Sequence, residues 1–182
     1  NSGVTINLTT GAASGGHADG DTLINIEHLI GSFSNDHLTG NAEANVFDDG
    51  DGFDTLLGLD GDDIFLAGRD ADHMDGGSGV DTVQIVGTEF DTGSLPSIRD
   101  LTAGSDNYGN SYIGIENSLG GAGNDQFSGD GADNVIRGGG GDDILRGGGG
   151  HDALYGETGD DQLWLDQGIG PATPGAIFDG GD

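Results

Sequence analysis

Apolar residues recur at every ninth position in two stretches of the chain. Residues 31–84 divide without gaps into six nine-residue units, and residues 120–164 divide into five more. The first six positions of a unit are mostly turn-forming residues, whereas the last three suit a short strand whose central side chain alone faces inward. That central residue, at position eight, is apolar in every unit: Leu38, Phe47, Leu56, Phe65, Met74, Val83, Phe127, Ile136, Leu145, Leu154 and Leu163.

The nine-residue period predicts a solenoid. Each unit makes half a coil, so eighteen residues bring the chain back to the edge where it started. Consecutive coils then stack about 4.8 Å apart as parallel strands, and two thin sheets face each other. The position-eight side chains fill the space between the sheets.

Carboxylates follow the same period. Position six is Asp or Asn in every unit, and spacing by eighteen places Asp125, Asp143 and Asp161 in one column along one edge. Such a column repels itself unless cations lie between the turns, and hard oxygen ligands favour Ca²⁺. We expect Asp143 to use its two oxygens on two ions and Asp142, at position five, to face solvent. Folding and metal binding should then be one event.

The composition restricts the partners of this chain. It has 33 acidic residues against four arginines, no lysine, 40 glycines and a formal charge of −29. Such charge opposes a compact state and by itself also fits an acidic disordered segment, but a disordered segment needs no periodic apolar residues. Nucleic acid and anionic membranes would be repelled. The absence of cysteine excludes disulfides and thiolate metal sites.

The sequence offers no membrane span and no signal peptide at its start. No apolar run approaches the length of a membrane span, and the first residues lack the basic and apolar parts of a signal peptide. The last four residues, DGGD, look like the opening of another repeat. We therefore expect the chain to be a piece of a longer protein.

One unit, GGSGVDTVQ at residues 76–84, fits the pattern G-G-x-G-x-D-x-U-x, where U is apolar, at every fixed position. The units that begin at Gly120, Gly138 and Gly147 fit it as well. The chain thus resembles the RTX, or hemolysin-type, calcium-binding repeat family. The resemblance implies an all-β fold, a right-handed parallel β-roll or β-helix solenoid with calcium in its turns. It also implies type I secretion from a Gram-negative bacterium and folding in external calcium, either in secreted form or at the cell surface.

Pairing turns eighteen residues apart predicts about seven Ca²⁺ ions, four in the first array and three in the second. Asn45 and Asn134 keep an oxygen ligand but lose its charge, and position four departs from Gly at Ser34, Glu43, Asp70 and Ala132, which puts those turns in doubt. The expected ligands are side-chain or carbonyl oxygens of Asp36, Asn45, Asp54, Gly58, Asp60, Asp63, Asp72, Gly76, Ser78, Asp81, Gly120, Ala122, Asp125, Asn134, Gly138, Gly140, Asp143, Gly147, Gly149, Asp152 and Asp161.

The remaining segments are expected to extend the solenoid. Residues 1–30 and 85–119 should form coils without a calcium turn, and residues 165–182 a capping loop followed by the start of a further repeat. Residues 4–8, 82–86 and 112–115 are expected strands, and the alternation of Ile24, Ile26 and His28 predicts a strand with one buried face. One rod and two rolls with a hinge within residues 87–110 both remain open.

No enzyme motif is present. The chain lacks H-E-x-x-H and G-x-S-x-G, its five histidines form no ligand-spaced pair, and the repeat explains its paired acids. A non-enzymatic, calcium-dependent folding module is therefore the favoured interpretation. The alternative is an adhesive or carbohydrate-binding module of a surface adhesin or polysaccharide-modifying enzyme, with Tyr155 and Trp164 as a sugar platform. A catalytic β-helix would need clustered acids outside the nine-residue register.

Overall fold

The computed structural model describes residues 2–68, 70–85, 97–164 and 177–179, and this part of the chain contains strands and turns but no helix. None of it is therefore a long apolar helix able to cross a membrane. The strands are β1 (Thr5–Asn7), β2 (Ala12–Ser14), β3 (His28–Ile30), β4 (His37–Thr39), β5 (Val46–Asp48), β6 (Thr55–Asp60), β7 (Ile64–Ala67), β8 (His73–Ser78), β9 (Thr82–Ile85), β10 (Ile98–Asp100), β11 (Ser105–Asp106), β12 (Ser111–Ile113), β13 (Asn117–Leu119), β14 (Gln126–Ser128), β15 (Val135–Gly140), β16 (Ile144–Arg146), β17 (Ala153–Thr158), β18 (Gln162–Trp164) and β19 (Ile177–Asp179).

The first of two compact units comprises Asn1–Val83 and Tyr108–Ile115. One of its sheets has the strand order β12-β8-β6-β4-β1-β2 and the other the order β9-β7-β5-β3. The pairs along β12-β8-β6-β4-β1 and β7-β5-β3 are parallel, whereas β2 runs antiparallel to β1. Leu38 lies opposite Leu56, which lies opposite Met74. The predicted stacking of eighteen-residue coils is confirmed in this unit.

The second unit comprises Gln84–Asn107 and Glu116–Asp182. Its sheets have the orders β18-β16-β14-β10-β11 and β19-β17-β15-β13, and all pairs are parallel except β10 with β11. Phe127 lies opposite Leu145, and Ile136 lies opposite Leu154. Both units are therefore parallel β-solenoids, as expected for a β-roll.

The core consists mainly of the position-eight side chains, joined by Ile6, Ala67, Tyr112 and Ile115. Phe47 and Phe65 stack with ring centroids 5.1 Å apart. Burying one such side chain stabilises a fold by about 1.5–3 kcal/mol, so one per nine residues makes a thin core. Leu163 is only partly buried. The apolar residues with no exposed surface all occupy position eight and confirm the predicted register: Leu38, Phe47, Leu56, Phe65, Met74, Val83, Phe127, Ile136, Leu145 and Leu154.

The second unit has a polar residue in its core that the sequence did not point to. Arg99, in β10, lies opposite Phe127 and is only 2% exposed. Its guanidinium lies 5.6 Å from the Phe127 ring centroid, and Nη1 donates to Ser118 Oγ at 3.2 Å and to the carbonyl of Leu119 at 3.3 Å. A cation thus replaces an apolar side chain in this coil.

The strand predicted from Ile24, Ile26 and His28 is wrong. The strand in this region is β3, whose buried side chain is Leu29, while Ile24 is 74% exposed. The nine-residue register extends back from the array and puts Leu29 at position eight, so tertiary stacking overrides the local alternation. Residues 4–8 and 112–115 overlap β1 and β12 as expected. For residues 82–86, β9 covers the first four, and residue 86 lies outside the described residues.

Two further details differ from expectation. Strands β6, β8, β15 and β17 have six residues instead of three, because they continue through positions one to three of the next unit and pair again there. Strand β19, within the predicted capping loop, pairs with β17. The preceding part of that loop, residues 165–176, lies outside the described residues.

Candidate metal centre

Position-six residues form hydrogen-bonded columns along the edges of each unit. The backbone N–H of one residue donates to Oδ1 of the residue eighteen positions later, which holds each carboxylate against the preceding coil. At one edge of each unit these bonds run from Asp36 to Asp54 (2.6 Å), from Asp54 to Asp72 (2.8 Å), from Asp125 to Asp143 (2.7 Å) and from Asp143 to Asp161 (2.9 Å). At the other edge they run from Asn45 to Asp63 (2.7 Å), from Asp63 to Asp81 (2.8 Å) and from Asn134 to Asp152 (3.1 Å).

The second oxygen of several of these carboxylates is buried and has no hydrogen-bond partner. Oδ2 is in this state in Asp54, Asp63, Asp143 and Asp161. Burial raises the pKa of Asp143 to about 7, with the charges of Asp125 and Asp161 adding to the shift, and raises that of Asp54 to about 6. A buried oxygen without a partner is costly unless a cation or donor reaches it.

Glycine at position one leaves room for that oxygen. A Cβ atom on Gly138 would overlap Asp143 Oδ2 and lie 2.9 Å from the carbonyl oxygen of Gly156. A Cβ on Gly58 would likewise overlap Asp63 Oδ2 and lie 2.6 Å from the carbonyl oxygen of Gly76. A carboxylate oxygen and a carbonyl oxygen from successive turns therefore converge above a glycine Cα. This oxygen set fits a hard cation such as Ca²⁺.

Positions two and four have positive φ in the turns that begin at Asp49, Gly58, Gly76, Gly138, Gly147 and Gly156. In the turn that begins at Gly138, φ is 105° at Gly139 and 106° at Gly141. Among the described residues, Ser34, Glu43 and Ala132 at position four do not have positive φ, so the turns that contain them adopt another backbone conformation. The doubt that the sequence raised about these turns is justified.

The first position-six residue at each edge is satisfied by protein groups. Asp36 accepts from the N–H of Val4 (2.6 Å) and the hydroxyl of Ser32 (3.0 Å). Asn134 Oδ1 accepts from Asp130 N–H at 3.0 Å, and its Nδ2 donates to the carbonyl of Glu116 at 2.7 Å. The two remaining first residues also accept backbone N–H groups: Asn45 from Asn41, and Asp125 from Ser97 and Gly121. The need for a cation is therefore greatest at the later turns.

Backbone groups at position three join neighbouring turns. The carbonyl of Ser78 accepts from Gly61 N–H at 2.9 Å, and that of Thr158 accepts from Gly141 N–H at 2.9 Å. Two other expected ligands at this position pair across neighbouring coils, Asp60 with Ser78 and Gly140 with Thr158. Gly140 and Gly149 also donate their N–H groups to the preceding turn. The Cα of Ala122 lies 3.5 Å from a Cβ atom placed on Gly140. Position-one carbonyls, such as those of Gly156 and Gly76, lie near the buried Oδ2 atoms, and the position-three ligands stay a prediction.

Position five forms a second column that sequence reasoning missed. Asp142 is exposed, as expected, but its Oδ1 accepts from Asp160 N–H at 3.0 Å. Asn124 Oδ1 accepts from Asp142 N–H at 2.9 Å in the same way. The signal was available, because Asp or Asn recurs at position five.

Asp49 is the other residue that sequence reasoning missed. It occupies position one, where the repeat normally has Gly, and it is buried with Asp54 and Asp72. One oxygen from each of the three carboxylates lies within 4.8 Å of the others. Burial raises the pKa of Asp49 to about 8, and the charges of Asp72 and Asp54 add to this.

The aromatic residues considered as a sugar platform are on different sheets. Tyr155 belongs to β17 and lies under the Arg137 guanidinium, 4.1 Å from the ring centroid. Trp164 belongs to β18 and lies opposite Arg146 in the other sheet. The two side chains do not form one platform.

Comparison with protein families gives a match that covers these turns. A family model described as the RTX calcium-binding nonapeptide repeat (four copies) matches residues 25–48, 48–83, 119–154, 128–163 and 137–170, which together make up more than half of the chain. The comparison with curated proteins returns no match.

Proposed function

Since this chain belongs to the RTX calcium-binding nonapeptide repeat family, whose β-roll is a calcium-binding, non-catalytic module, we propose that it is a calcium-dependent folding module of an exported protein. It stays unfolded where calcium is scarce and folds where calcium is near millimolar. The observation that carries the proposal is the buried Oδ2 atom that meets a carbonyl oxygen of the next turn, as at Asp143 and Gly156.

The metal-free chain has three sources of instability. Its charge is −29, and its core has one apolar side chain per nine residues. Each buried polar atom without a partner adds about 1–3 kcal/mol of cost. A bound cation offsets both the repulsion and the missing partner, so the free energy of binding supplies most of the folding free energy.

The module is proposed to bind about seven Ca²⁺ ions, one between each pair of turns eighteen residues apart. In the later turns the position-six Oδ2 and the position-one carbonyl supply oxygen ligands. The first residues at each edge, such as Asn134, are already satisfied by protein groups, so we place the weakest sites there.

The proposed setting is outside the cell. A chain that folds only with calcium crosses a secretion channel unfolded and folds on reaching external calcium, in keeping with type I secretion from a Gram-negative bacterium. Its strong negative charge also keeps it from anionic membrane surfaces. In this setting the module supports export and stability of the protein that contains it.

A calcium titration followed by far-UV circular dichroism tests the proposal. Without calcium the spectrum should be that of a largely unfolded chain, and β-structure should appear cooperatively with a midpoint at about 10⁻⁴–10⁻³ M. Magnesium is the control, and it should substitute poorly because it prefers a small octahedral shell. A β-rich spectrum that persists unchanged in excess EGTA contradicts the proposal.

A further inference from the structure

One turn column of the first unit departs from the glycine rule. Its position-one residues are Gly31, Asp49 and Ala67, whereas every other unit in the two arrays begins with Gly. In the glycine turns, the space above the position-one Cα receives the carboxylate oxygen of position six. At position 49 this space is next to the side chain of Asp49 itself, which adds a second carboxylate.

Three carboxylates meet in this column. Asp49, Asp54 and Asp72 are 3%, 3% and 2% exposed, and one oxygen from each lies within 4.8 Å of the others. Two oxygens bound to the same Ca²⁺ lie at most about 5 Å apart, because each Ca–O distance is about 2.3–2.6 Å. The three oxygens are therefore close enough to share one coordination shell.

Two of the buried oxygens that lack hydrogen-bond partners belong to this cluster. Asp49 Oδ2 and Asp54 Oδ2 are both buried and accept no hydrogen bond. The other oxygen of Asp54 accepts Asp36 N–H at 2.6 Å, and Asp72 Oδ1 accepts Asp54 N–H at 2.8 Å. The backbone of neighbouring coils thus holds two of the three carboxylates in place, and a cation meets prearranged oxygens.

We propose that Asp49, Asp54 and Asp72 form a three-carboxylate cation site that binds Ca²⁺ more tightly than the glycine turns do. The inference rests on the proposed function and adds to it a ligand outside position six. A glycine turn offers two carboxylates from successive coils, whereas this site offers three, and calcium affinity rises with the number of charged ligands. In the folded chain this site has the highest calcium affinity.

Equilibrium dialysis with radioactive calcium on the whole chain tests the inference. Over about 10⁻⁶–10⁻³ M calcium, one ion should bind at least about tenfold more tightly than the rest. Asp49→Asn should move that ion to the affinity of the others. Asp51→Asn is the matched control, because Asp51 is an exposed acid two residues away and the charge change is the same. Asp49→Gly, which restores the glycine of the repeat, gives a second variant that keeps the fold and lowers the affinity of only that ion to that of the glycine turns.

The outcomes separate this inference from the proposed function. Loss of the tight ion in Asp49→Asn and Asp49→Gly, with no change in Asp51→Asn, supports the site. A single affinity class in the unmodified chain, or equal shifts in Asp49→Asn and Asp51→Asn, overturns the site while calcium binding by the module stands. If the unmodified chain binds no calcium, the proposed function fails as well.

Discussion

Two columns of position-six aspartates use the same backbone arrangement but have different neighbours. In the first unit the column of Asp36, Asp54 and Asp72 includes the extra carboxylate of Asp49. In the second unit the column of Asp125, Asp143 and Asp161 faces only glycines at position one, namely Gly120, Gly138 and Gly156. Both columns have the N–H to Oδ1 bond that spans eighteen residues. The groups that lie next to a position-six carboxylate therefore depend on the residue at position one.

The difference shows what the glycine at position one is for. At Gly138 its role is to let Asp143 Oδ2 and the carbonyl of Gly156 approach the Cα. Within the described residues of the two arrays, positive φ occurs only at positions two and four. When position one carries a side chain, as at Asp49, the same space holds a further ligand or an obstacle, according to the side chain.

The largest expected effect comes from the middle of the second column. Asp143→Ala removes the acceptor of the buried Asp125 N–H and the Oδ2 ligand above Gly138, so the calcium midpoint should rise and the free energy of unfolding should fall by at least about 1–3 kcal/mol. Asp142→Ala makes the same change of charge but removes only an exposed bond to Asp160, so it should cost about 0.5 kcal/mol. Calcium titration and urea unfolding measure both variants. Equal effects would mean that the assigned register is wrong.

A second prediction concerns a side chain placed at position one of the second unit's column, as the first unit's column has at Asp49. Gly138→Ala places a Cβ atom against Asp143 Oδ2, and the crowding should destabilise the calcium-loaded chain by about 1–3 kcal/mol. Gly131→Ala is the matched control, because a Cβ there meets no atom within 4 Å and φ is not positive. Thermal unfolding in excess calcium compares the two variants. If Gly138→Ala is as harmless as Gly131→Ala, the carboxylate does not need that space.

A third prediction is a pH dependence of the metal-free chain. In the folded chain the pKa of Asp49 is raised to about 8 and that of Asp143 to about 7, from 3.8. The folded state then binds more protons than the unfolded state, so this contribution to stability is complete below about pH 4 and is lost as pH rises through 7 to 8. Circular dichroism without calcium should therefore show more β-structure at pH 5 than at pH 8.

Asp49→Asn sharpens the pH comparison between the two columns. It removes the Asp49 carboxyl, whose pKa is about 8, and leaves that of Asp143 at about 7, so the upper limit of the acid-stabilised range should fall. Asp51→Asn should leave that limit unchanged. More β-structure at pH 8 than at pH 5 in the metal-free chain would contradict the assigned shifts.

Much of the fold could be predicted because the solenoid repeats. Positions six and eight have the same roles in each coil of the arrays, so the nine-residue period was enough to place Asp143 and Leu145. The prediction failed where a segment lacks the repeat, as at Ile24, whose local alternation says nothing about which coil lies beside it. Arg99 was also missed, since its burial depends on Phe127 and Ser118, which are distant in sequence.

The sequence by itself determined the period, the inward-facing residues and the columns of acids, because each follows from a spacing of nine or eighteen residues. The tertiary structure decided which oxygen of each carboxylate bonds to the neighbouring coil and which is left for a cation. It also brought Asp49 to Asp54 and Asp72. Both outcomes depend on distances between side chains of neighbouring coils, and those distances are set only when the coils are stacked.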